Sequence, residues 1–83
     1  MKFIRASVTV TLPGNSGFQE YHVTYSHPEG YFIVSISTEM ISKEYLGAWL
    51  CNVSNGLLRY ICKNTNSGEL TRTLYSYILL MKS

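Results

Sequence analysis

From Ile4 to Leu12 the chain alternates apolar and polar residues without a break. Ile4, Ala6, Val8, Val10 and Leu12 form one row; Arg5, Ser7, Thr9 and Thr11 form the other. A period of two belongs to the β-strand, whose side chains point to opposite faces in turn. The row stops at Pro13-Gly14-Asn15-Ser16-Gly17. Proline there cannot donate to a ladder, and the glycines supply turn conformations.

A second alternating stretch runs from Phe18 to Ser26, with Tyr21, Val23 and Tyr25 opposite Glu20, His22 and Thr24. His27-Pro28-Glu29-Gly30 reads as a turn, with proline second and glycine fourth. Gly30 to Ser37 then carries the densest β-branched and aromatic content of the chain. It is expected to be central in an antiparallel sheet, with Phe32, Val34 and Ile36 on the core face and Tyr31, Ile33, Ser35 and Ser37 on the other. Short loops between these three strands suggest a meander.

The period changes next. Tyr45, Leu46, Trp49, Leu50 and Val53 recur at helical spacing. Ser42 suits an N-cap, Glu44 the first turn, and Asn55-Gly56 a C-terminal stop, so a helix is expected over 43–54. Leu57–Lys63 alternates again, with Leu58, Tyr60 and Cys62 in one row. Residues 69–82 fit either period. Their Thr and Tyr content and the preceding turn cluster favour a strand. The reading is an α+β domain over residues 1–83, β-β-β-α-β-β, with one helix packed on one face of an antiparallel sheet.

Composition narrows function more than it names it. Charged residues are 14% of the chain and the net charge is +2, too weak and too scattered for an electrostatic phosphate binder. No continuous apolar region follows Lys2 and no run approaches a bilayer span, so a cytoplasmic chain with reduced Cys51 and Cys62 is expected, and no membrane. Glu20, His22, His27 and Glu29 form the densest titratable group, but no nucleophile or paired-carboxylate motif accompanies them, and no catalytic residue is assigned. The His and Cys spacings do not match compact zinc sites; neither metal nor cofactor is expected.

What remains is recognition. A sheet face left bare by the helix would carry Phe18, Tyr31, Ile33, Leu57, Ile61 and Tyr75 with little charge, and Arg59, Lys63 and Arg72 at its rim. Apolar and aromatic surface with sparse charge is the composition of an interaction patch. The expected partner is a larger protein or protein complex, bound by a monomer or homodimer. In size and style the chain is like virus- or mobile-element-encoded inhibitors of host proteins. Single-stranded nucleic acid, stacking on the tyrosines of the same face, is the alternative.

Overall fold

The computed structural model describes residues 1–40 and 45–83. Six strands run in order: β1 (Lys2–Leu12), β2 (Gln19–Thr24), β3 (Tyr31–Met40), β4 (Leu46–Ser54), β5 (Leu57–Asn64) and β6 (Leu70–Lys82). They form two antiparallel three-stranded sheets, with orders β1-β6-β3 and β2-β5-β4. We call these sheet A and sheet B. All described regular structure is β, so the α+β expectation is overturned.

The expected helix is β4. Residues 46–54 pair with β5 across the Asn55-Gly56 turn, with Ser54 opposite Leu57, and Gly56 has a positive φ. The expected N-cap Ser42 and Lys43 and Glu44 of the expected helix lie outside the described residues. The meander is also absent. β1 pairs with β6, β2 with β5, and β3 with β6, so the chain crosses between sheets at nearly every connection. β3 is an edge strand rather than a central one; the long β6 lies between β1 and β3.

The two sheets bury one shared core. Val10 and Leu12 of β1, Val23 of β2, Leu58, Tyr60 and Cys62 of β5, and Leu74, Ile78 and Leu80 of β6 are fully buried. Each such side chain contributes about 1.5–3 kcal/mol by leaving water. The alternating rows expected of β1, β2 and β5 are the inward rows, and in β6 Leu70, Leu74, Ile78 and Leu80 share the inward face. β3 departs from its expected row because its register against β6 shifts between Ile33 and Ser35. The extra residue, Val34, reverses parity. Tyr31, Ile33 and Ile36 therefore pack on the core, while Phe32 and Val34 are exposed.

Polar groups close the core at two points. The buried Asn64 side chain donates from Nδ2 to the carbonyls of Leu12, Pro13 and Gly68, and its Oδ1 accepts from the Asn66 amide. This satisfies backbone groups where two loops turn inward. Midway along the sandwich, the Tyr60 hydroxyl bonds Ser76 of β6 and Thr38 of β3. The sandwich is closed where β1 runs beside β2. On the opposite side, the described residues leave a cleft of about 370 Å³ between the ends of β3 and β4, lined by Thr38, Glu39, Met40, Leu46 and Ala48.

Candidate protein-binding face

The outward row of sheet B is built from three strands. β5 is the scaffold: its inward Leu58, Tyr60 and Cys62 are fully buried, which fixes Arg59, Ile61 and Lys63 on the opposite face. β2 and the residue before it add Phe18, Glu20 and His22, and β4 adds Trp49, which lies opposite Ile61 in register.

At the centre is an apolar cleft of about 410 Å³ lined by Phe18, Trp49 and Ile61. Phe18 and Trp49 meet edge to face, with ring centroids 5.8 Å apart, and are 66% and 52% exposed. Aromatic surface so placed remains in water unless something covers it. The Lys63 ammonium sits 5.2 Å from the Phe18 ring centroid. Trp49 also folds over Gly47: a Cβ there would meet the indole Cη2 at 2.5 Å, so the ring's position depends on glycine.

Beside the cleft is a charged cluster. Glu20 bonds His22 Nε2 through Oε1 at 2.8 Å and faces Arg59 Nε through Oε2 at 2.8 Å. All three side chains are close to half exposed, so the cluster adds little stability. It does hold a carboxylate, an imidazole and a guanidinium in fixed places next to apolar surface.

The expected interaction residues divide into three groups. Phe18, Arg59, Ile61 and Lys63 come together on this face. Tyr31 and Ile33 turn inward and pack on the core, because the Val34 bulge sets their parity. Arg72 and Tyr75 belong to sheet A. Arg72 lies opposite Val10 and donates to the Thr71 carbonyl; Tyr75 stacks under Arg5 on the outer face, 4.4 Å from its guanidinium carbon. The single bare face expected of a helix-covered sheet is thus two separate outer faces, one for each sheet. Sheet A's carries Phe3 against Tyr77, and the Tyr77 hydroxyl bonds Glu39 at 3.1 Å. Desolvation, and then that carboxylate, raise the Tyr77 phenol's pKa.

Trp49 was not among the expected contact residues, because helical spacing assigned it to a buried stripe. The Asn-Gly pair six residues on, a strong two-residue hairpin signal, marks it instead as a strand residue.

The titratable residues considered for catalysis do not converge. Glu20 and His22 lie on the sheet B face, whereas His27 is held by the Tyr25 hydroxyl and the Tyr31 carbonyl, each at 2.8 Å. Cys51 is exposed, Cys62 is buried, and both are free thiols. Among the described residues, no group of three or more His, Cys, Asp or Glu is placed to hold a metal ion, and no helix is long and apolar enough to cross a membrane. No protein-family model, curated protein or solved structure matches the chain.

Proposed function

We propose that the chain is a non-enzymatic binding module that occupies a surface on a larger protein through the outer face of sheet B. The observation that carries this reading is the exposed Phe18–Trp49–Ile61 cleft flanked by Lys63 and the Glu20–His22–Arg59 cluster. An apolar centre with aromatic anchors and a charged rim is the arrangement that concentrates binding energy in protein interfaces. Arg59 and Glu20 together offer a partner both signs of charge, which favours orientation over bulk attraction. A single-strand nucleic-acid module using Phe18 and Trp49 as stacking platforms is the second reading. It draws on Lys63 beside Phe18, but Glu20 neutralises the neighbouring Arg59.

The test is co-purification from the chain's native cells with Phe18→Ser and Arg59→Glu as paired controls. The expected result is one protein retained by the natural chain and lost by both variants, whose far-ultraviolet spectra stay unchanged. Retention of no protein overturns the reading. So does oligonucleotide binding that falls steeply with salt and disappears in Phe18→Ser, which would transfer the face to nucleic acid.

A further inference from the structure

β4 is an edge strand of sheet B, unpaired on its outer side among the described residues, and it differs from the other edges of the sandwich. β1 carries Lys2 and Arg5, β2 carries Glu20 and His22, and β3 carries Glu39, whereas β4 from Leu46 to Ser54 has no charged residue and no proline. Edge strands are ordinarily protected by such residues, because an unpaired row of amides and carbonyls is a template for another strand. β4 has one protective device, the register shift between Leu50 and Asn52, which leaves Leu46–Leu50 as its regular segment.

That segment is complementary to itself. Its inward residues are Leu46, Ala48 and Leu50, and its outward residues are Gly47 and Trp49. Run antiparallel to a copy of itself about Ala48, it sets Leu46 against Leu50, Ala48 against Ala48, and Gly47 against Trp49. The inward row is then apolar throughout, and in the outward row each Gly47, already covered by its own Trp49 indole, lies beside the other copy's Trp49. Leu46 and Ala48 also line the cleft that the described residues leave between β3 and β4, so the seam would run along it.

We propose that the occupant of this edge is a second copy of the chain. The two copies join by antiparallel β4–β4 pairing on a two-fold axis through Ala48, making one six-stranded sheet from the two B sheets. The pairing is tested separately from the outer-face reading: it uses the backbone edge, and although Trp49 borders both, Phe18 and Arg59 take no part in it.

The register makes the test specific. Residues facing each other across an antiparallel pair have Cα atoms about 4.5–5.5 Å apart, within disulfide reach. Only residue 48 faces itself; the two copies of residue 50 are offset by four positions, about 13 Å. The experiment uses the full chain with Cys51→Ser and Cys62→Ala, because Cys62 lies opposite residue 48 within one copy and would capture a thiol placed there. Ala48→Cys and Leu50→Cys are each oxidised under mild conditions, and the unsubstituted chain is followed by sedimentation equilibrium. The expected results are a dimer by sedimentation and covalent dimer from Ala48→Cys at least tenfold above that from Leu50→Cys. A chain that sediments as a monomer at hundreds of micromolar overturns the proposal, whatever Ala48→Cys does to folding. A dimer that cross-links equally well, or better, at residue 50 overturns the register. The partner-binding reading fails separately, through Phe18→Ser and Arg59→Glu.

Discussion

The Tyr60 hydroxyl lies 2.8 Å from the Ser76 hydroxyl, across the space between the two sheets, and both residues are fully withdrawn from water. Thr38 completes the group at 2.7 Å, and Thr38 is the register partner of Ser76 in sheet A. One phenol on β5 thus ties together two strands of the opposite sheet. A buried hydroxyl without partners would be costly, so the three groups depend on one another.

Tyr60→Phe tests how far. Removing the phenol oxygen leaves Ser76 and Thr38 opposite each other on adjacent strands, able to bond across the ladder. The loss is therefore expected to be modest, about 1 kcal/mol by urea denaturation. Tyr60→Ala removes the ring as well and is expected to cost about 3–5 kcal/mol. Equal costs for the two variants would show that the hydroxyl, not the ring, holds the sheets in place.

Asn64 acts at the end of the sandwich, where its amide serves three backbone carbonyls and its carbonyl accepts one backbone amide. Asn64→Asp keeps the shape and removes the donors, placing a buried carboxylate among carbonyl oxygens. It is expected to cost about 3 kcal/mol or more at neutral pH, because those carbonyls lose their donor and the buried charge keeps only the Asn66 amide. Asn64→Ala leaves the same carbonyls unpaired without adding charge and should cost less than Asp. Denaturant midpoints for the two variants check the order; Ala worse than Asp would contradict it.

How much of this was legible in the sequence depended on the bulges. β1, β2, β5 and β6 keep strict parity, and their inward rows can be read directly from alternation. In β4 the shift after Leu50 puts Leu46, Leu50 and Val53 on one face at intervals of four and three. In β3 the Val34 bulge spaces Ile33, Ile36 and Met40 at three and four. A bulged strand therefore imitates the i, i+3, i+4 pattern of a helix, and in β4 that imitation outweighed the Asn55-Gly56 hairpin signal. The candidate face was half legible for the same reason: Phe18, Arg59, Ile61 and Lys63 lie on strands of regular parity or beside them, whereas Tyr31 and Ile33 precede a bulge and Trp49 was assigned to the wrong element. Strand order was not legible, because β1–β6 pairing joins residues far apart in the chain and leaves no local pattern.

Gly14 and Gly17 share one loop and are expected to respond oppositely to alanine. A methyl group on Gly14 would fall on the Ser67 carbonyl, where the loop after β1 packs against the loop after β5; Asn15 and Asn66 are bonded there at 2.7 Å. Neither backbone can yield without breaking that contact, so Gly14→Ala should cost about 2 kcal/mol or more. A methyl group on Gly17 meets nothing within 4 Å, and Gly17 has no positive φ. Gly17→Ala should be neutral or stabilise by up to about 1 kcal/mol, through the unfolded chain's lost freedom. Melting temperatures of the two variants decide it, and equal losses would mean the loops do not pack as described.

Cys62 gives the fold an alkaline limit. Burial raises its thiol from 9.0 to about 11. The native state thus holds a proton that the unfolded state has begun to release. Stability from this group is complete below pH 9, declines as the unfolded thiol ionises, and is lost once pH passes about 11. A shift of that size corresponds to about 2–3 kcal/mol. The variant Cys62→Ala isolates the effect. It should be less stable than the natural chain at pH 7, because a buried sulfur is gone, yet lose less stability between pH 8.5 and 11. Parallel urea titrations across that range measure both slopes. If the slopes are identical, the Cys62 thiol ionises as readily in the folded chain as in the unfolded one.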